Sequence, residues 1–256
     1  VFLIGSAPGA PPQSNLFKPA CKNPSFPTPP PAKMPAIDSS CGLRGSGTGA
    51  EGTQNAAKNN FCASTPAKAI TIDDLIALQQ KVEANADINF GDENSDTRKK
   101  GPTTDRAPLR KLGEGKQVTL KAFVLKARPE GGESVNCGKA VSGENSHDVH
   151  ISLVASADVA DECAGVVAEM SPHRRPDAWT HLTVQKVADA RVPVRVTGQL
   201  FFDSSHEPCV RGQKVRSNPM RASLWEIHPI YKFEVCTADC DGAGQWVPLD
   251  QWVQKR

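Results

Sequence analysis

Five runs of alternating apolar and polar residues, one crossing of helix length between the third and the fourth, and turn-rich connections elsewhere predict a mainly β chain. Its centre is a five-stranded Greek-key barrel of the OB-fold type. The runs are 116–126, 148–155, 162–170, 192–202 and 222–235, and the crossing lies near residues 176–188. Three strands, a crossing and two strands are the connectivity such a partly open barrel needs. A fold does not name an activity, so function has to be read from the side chains.

Before the barrel, residues 1–40 read as an extended arm. Residues 8–40 are Pro-rich, with Pro27-Thr28-Pro29-Pro30-Pro31 at their centre and almost no apolar period, so polyproline-like backbone is expected. Val1-Phe2-Leu3-Ile4 is an apolar, largely β-forming run followed by small residues. It reads either as the end of a secretory apolar segment or as mature sequence. As mature sequence, Val1, Phe2, Leu3 and Ile4 would add as a strand to the sheet edge of another copy, which predicts self-association through the arm.

Residues 41–111 read as a small Gly-rich and helical region. The glycines of Cys41-Gly42-Leu43-Arg44-Gly45-Ser46-Gly47-Thr48-Gly49 have neither a preceding strand nor a closing Gly-Lys-Ser/Thr, so a phosphate loop is rejected. A flexible loop closed by Cys41 and Cys62 is expected instead. Thr71 and Asp74 stand at capping-box spacing and open a helix whose inner face is Ile72, Leu75, Ile76, Gln79 and Val82. Asp92-Glu93-Asn94-Ser95-Asp96 lacks the glycine and the distant glutamate of a calcium loop and reads as a solvated acidic turn. Residues 91–112 are expected to link this region to the barrel at 112–236, and 237–256 to form an extension.

The eight cysteines are even in number and contain no C-x-x-C pair. That fits disulfides in an oxidising compartment, and Cys236 with Cys240 lacks the second close pair a zinc ribbon would need. With 30 basic and 28 acidic residues the net charge is +2, so nucleic acid is not attracted by the chain as a whole. No apolar run approaches the ~20 residues of a membrane span.

Alternation assigns the faces of the strands. Val149, Ile151, Leu153 and Ala155, Val194, Val196, Gly198 and Leu200, and Trp225 with Ile227 are expected inward. His150 and Ser152, Arg195, Thr197 and Gln199, and Glu226 with His228 are expected on a solvated outer surface. Pro229 has no amide hydrogen and should mark a bulge or an edge. The outward set contains Asp148-x-His150, Asp203-x-x-His206 and Glu226-x-His228, with Glu169 ending the third strand. His150, Glu226, His228, Asp203 and His206 are therefore candidate ligands for a divalent metal, which would be the one cofactor, and such sites activate water for hydrolysis. Loop 203–221 carries Arg211, Lys214, Arg216 and Arg221, a candidate binding surface for an anionic polymer, with Phe201, Tyr231 and Phe233 as the nearest stacking aromatics.

The stretches Gly198-Gln199-Leu200-Phe201-Phe202-Asp203-Ser204-Ser205-His206 and Trp225-Glu226-Ile227-His228-Pro229 resemble an uncharacterised family of bacterial exported proteins with G-x4-D-x2-H and W-E-I-H-P motifs. The resemblance spans the carboxy-terminal half and implies bacterial origin and a secreted or cell-surface location, without implying an activity. The expected function is an exported, non-catalytic binding or assembly module. The competing expectation is a metal-dependent hydrolase of phosphodiesters that uses the Asp, Glu and His residues.

Overall fold

The strand pattern folds as its alternation requires. A computed structural model describes residues 41–91, 101–137, 146–173, 175–210 and 218–254. In chain order these form α1 (Gly49–Lys58), β1 (Ser64–Ile70), α2 (Ile72–Glu83), α3 (Ala107–Leu112), β2 (Lys116–Pro129), β3 (Val149–Val154), β4 (Val166–Met170), α4 (His181–Ala190), β5 (Pro193–Phe202), β6 (Trp225–Ala238), β7 (Gln245–Pro248) and α5 (Leu249–Gln254). Strands β2, β3, β4, β6 and β5 pair in that order, and β5 returns to β2 to close the barrel. The closing contact between β4 and β6 is parallel, with Ala168 opposite Ile227.

Most of the inward residues are those the alternation names. Val149, Ile151, Leu153, Val194, Val196, Trp225 and Ile227 are fully buried in one apolar cluster, each large side chain contributing about 1.5–3 kcal/mol by leaving water; Ala155, expected with them, lies past the end of β3 and is exposed. At Pro229 the β5–β6 register slips: Gly198 faces Ile230 and Leu200 faces Ile227, the bulge expected of a residue that cannot donate to the ladder. Gly198 is required there. A Cβ on it would lie 2.4 Å from the Pro229 carbonyl oxygen and 2.6 Å from Ile227 Cγ2.

Around the barrel the structure adds elements that the sequence reading lacks. Residues 49–58 form helix α1, not a flexible loop, and β1 lies parallel to β2. Residues 101–112 are built into the fold: Arg106 and Leu109 are wholly buried, and α3 runs directly into β2. Glu162 belongs to a 3-10 turn ahead of β4. The carboxy-terminal extension contributes β7, paired to β6, and α5, whose Leu249 and Trp252 join the core. Helix α2 has the expected capping box, with the Asp74 amide donating to Thr71 Oγ1 and the Thr71 amide donating to Asp74 Oδ2.

Cys41 bonds to Cys137, Cys163 to Cys209 and Cys236 to Cys240, and Cys62 is also disulfide-bonded. The expected Cys41–Cys62 loop does not exist. Cys41 instead fastens the start of the α1 region to the loop after β2, 96 residues away. Among the described residues no helix is long and apolar enough to cross a membrane.

Candidate functional site

OB barrels take ligands on the outer face of their second and third strands, between the loop after the first strand and the loop after the fourth. Here those strands are β3 and β4, and the loops lie between β2 and β3 and between β5 and β6. Helix α1 lies at one side of this face, against the loops after β2 and β5, Gln199 on β5 and, through Lys58, Glu169 on β4. Its sequence, GAEGTQNAAK, has small residues at Gly52, Ala56 and Ala57, which let the helix approach closely, and its polar residues are buried alongside them. Each of those polar groups is matched. Gln54 Nε2 donates to Asp203 Oδ1 at 3.1 Å, and Gln54 Oε1 accepts from the Ser204 amide and from Arg106 Nη1. Asn55 Nδ2 donates to Ser134 Oγ at 3.0 Å, and Gln199 Nε2 donates to the Ala57 carbonyl at 2.8 Å. Arg106 is itself paired with buried Glu114.

The last residue of α1 places its charge at the centre. Lys58 Nζ lies 3.1 Å from Glu133, 3.2 Å from Glu169 and 3.3 Å from Asp203. Glu169, at the outer face of β4, is the hub: Oε2 is 2.6 Å from His228 Nδ1 and Oε1 is 3.0 Å from His150 Nε2. His150 Nδ1 in turn lies 3.0 Å from Glu130, and Arg221 Nη1 donates to Glu226 Oε2 at 2.9 Å. Glu169, Glu226 and His228 have no solvent exposure, and the side chains of Glu130 and Glu133, 25 % and 20 % exposed, form the outer rim.

Burial in this layer works against every charge, and neighbours decide the outcome. Burial pulls Lys58 down, but Glu133, Glu169 and Asp203 outweigh it and hold the ammonium protonated well above its usual range. Burial also opposes charge on His228, yet Glu169 and Asp148 lift it to about 9, and His150 is likewise raised by Glu169 and Glu130. Glu169 and Asp203 are held ionised against burial, Glu169 chiefly by His150 and Lys58 and Asp203 by Lys58 and His206. Glu133 and Glu226 are pushed up to about 7 by burial, with Glu169 adding repulsion. His206, facing Asp203 at 3.6 Å, is lowered to about 4 by burial.

The five expected ligands are thus drawn into one region, but not as one ligand set. His150 and His228 meet through Glu169, Glu226 lies 3.5 Å from His228, and Asp203 and His206 sit on the far side of Lys58. The expectation of a solvated outer surface is overturned: His150, Gln199, Glu226 and His228 are as buried as the apolar core. So is Arg221, which serves Glu226 instead of offering a surface charge. Phe201, Tyr231 and Phe233 are buried as well and cannot stack on a ligand, Tyr231 giving its hydroxyl to the Asn60 carbonyl. Arg211, Lys214 and Arg216 lie outside the described residues, as do Asp92–Asp96 and the arm with Val1, Phe2, Leu3 and Ile4. Lys58, Gln54 and Glu133 went unnoticed in the sequence, where nothing local distinguishes them from surface residues.

No family model, curated protein or solved structure matches the chain. The site's chemistry therefore rests on its own geometry. It combines carboxylates and imidazoles fit to hold a cation with a cover that leaves only Glu130, Glu133 and His206 part-exposed at the edge.

Proposed function

We propose that the protein is an exported, non-catalytic binding or assembly module and not a hydrolase. The observation that carries this reading is Lys58 seated among Glu133, Glu169 and Asp203 beneath a helix tethered by Cys41–Cys137. A hydrolytic metal centre needs an open coordination position and a path for substrate. Here the space beside Glu169 is filled by the chain's own lysine and helix, so the acid–histidine layer serves to lock that cover in place. Export is supported by the disulfides. Assembly falls to the amino-terminal arm, whose apolar Val1–Ile4 run would pair with a sheet edge on another copy.

Two measurements test this. Purified protein supplied with Zn²⁺ or Mn²⁺ should show no turnover of bis-p-nitrophenyl phosphate; turnover that disappears in Glu169→Gln would establish the hydrolase instead. Light scattering should find an assembly that is lost when residues 1–10 are deleted, and an equal monomeric mass with and without them ends the assembly reading.

A further inference from the structure

Among the described residues three groupings of acidic and histidine side chains bring donor atoms within 4.8 Å of one another: Glu130, Glu133 and His150; Glu169, Asp203 and Glu226; and Asp148, Glu169 and His228. The first two are already served. Glu133 is paired with Lys58, and His150 lies between Glu130 and Glu169. Lys58 lies against both Glu169 and Asp203, and Arg221 holds Glu226. The third grouping differs. Asp148 is fully buried with neither carboxylate oxygen hydrogen-bonded, and His228, equally buried, has no partner on Nε2.

A buried carboxylate without a partner is costly, and a native fold keeps one where something else satisfies it. No hydrogen bond or ion pair joins Asp148 to His228, although their donors lie within 4.8 Å. Two ligands each about 2.0–2.2 Å from a metal stand up to ~4.4 Å apart, so one ion fits between them with a small adjustment. The ring orientation also fits. The His228 Nδ1–H is held by Glu169 Oε2 at 2.6 Å, the arrangement by which a carboxylate orients a metal-binding imidazole, and an ion bound at Nε2 would displace the proton that keeps this imidazolium charged.

We propose that Asp148 and His228 bind a first-row divalent cation, held as a structural ion in the covered layer, with Glu169 orienting the imidazole from its other nitrogen. One imidazole with a carboxylate suits zinc or manganese, whereas calcium and magnesium take oxygen ligands throughout. The ion gives Asp148 and the Nε2 side of His228 the partner that the rest of the layer does not supply. The site stands independently of the assembly reading, since neither Val1–Ile4 nor self-association enters it.

The test uses the full chain with its disulfides intact, stripped with EDTA and dialysed. Calorimetric titration with ZnCl₂ should give one equivalent per chain and a raised thermal midpoint, Co²⁺ should give the visible absorption of a nitrogen- and oxygen-ligated ion, and CaCl₂ should do neither. Asp148→Asn and His228→Gln should each weaken Zn²⁺ binding by about tenfold or more, while Asp73→Asn on the exposed side of α2 keeps both affinity and stoichiometry. Near-UV circular dichroism establishes that each variant is folded. Absence of stoichiometric Zn²⁺ binding by the unmutated chain overturns the proposal whatever the variants do, and so does unchanged affinity in folded Asp148→Asn.

Discussion

The two faces of the same strands are equally dry and are kept so by different means. On β3, Ile151 points into the barrel and His150 away from it, yet both are buried; on β6 the same holds for Ile227 and His228. The inner face excludes water by packing apolar side chains, a non-directional attraction that tolerates small shifts. The outer face excludes it with a fitted cover, and every charge there must find a counter-charge at a fixed distance. Loss of one partner on the outer face should therefore be felt by all its neighbours, whereas loss of one inner side chain leaves a local void.

The largest effect should come from removing the tether. Cys41→Ser with Cys137→Ser releases a cross-link between residues 96 apart, worth about 4–5 kcal/mol in the chain-entropy account. Denaturant unfolding should show that loss, and hydrogen exchange should rise in α1 well before β3 or β6. Next is Lys58→Met, which leaves Glu169 and Asp203 charged and buried and should cost about 3–5 kcal/mol. Adding Asp203→Asn should recover part of it, since it removes one of the two carboxylates left buried without their cation. Full additivity in this cycle would mean that the outer face is not a coupled layer. On the inner face, Leu153→Ala should cost about 2–5 kcal/mol and leave α1 exchange unchanged relative to the barrel.

Two smaller effects sharpen the contrast at its margins. Gly198→Ala drives a methyl against the Pro229 carbonyl and should cost about 1–3 kcal/mol by overpacking. Thr71→Ala, remote from both faces, should cost about 1 kcal/mol through its helix cap. The amide and hydroxyl of Thr71 hold the Asp74 carboxyl below its usual range. The cap's contribution is thus present above the unfolded carboxyl value of about 3.9 and is lost as pH falls through the lower folded value. A pH titration of the Thr71→Ala difference should show it shrinking toward acid.

Alternation made the barrel legible, because a period of two reports which residues share a face. It reports polarity and not exposure, so Glu226, His228 and Gln199 were placed on the correct side of the sheet but in the wrong medium. The cover was illegible for a related reason. Helix α1 buries Thr53, Gln54, Asn55 and Lys58, and a helix that buries polar side chains carries no apolar stripe to find. Lys58 begins its contacts 75 residues downstream, beyond any local pattern. Asp148 stands in the motif with His150, and Glu169 at the end of the third strand, but the role of Glu169 as hub depends on the β3–β4 register that sets His150 opposite it.

The position of α1 in the chain governs the order in which the molecule can be completed. A polypeptide is made from its amino terminus, so Lys58 emerges before Glu133, Glu169 and Asp203 exist, and isolated helices of this length are marginal in water. Helix α1 therefore has no partners for its buried polar side chains until the strands that carry them have been made and paired. Cys41 likewise precedes its partner Cys137 by 96 residues, so it must stay unpaired, or be freed by thiol–disulfide exchange, until the loop after β2 exists.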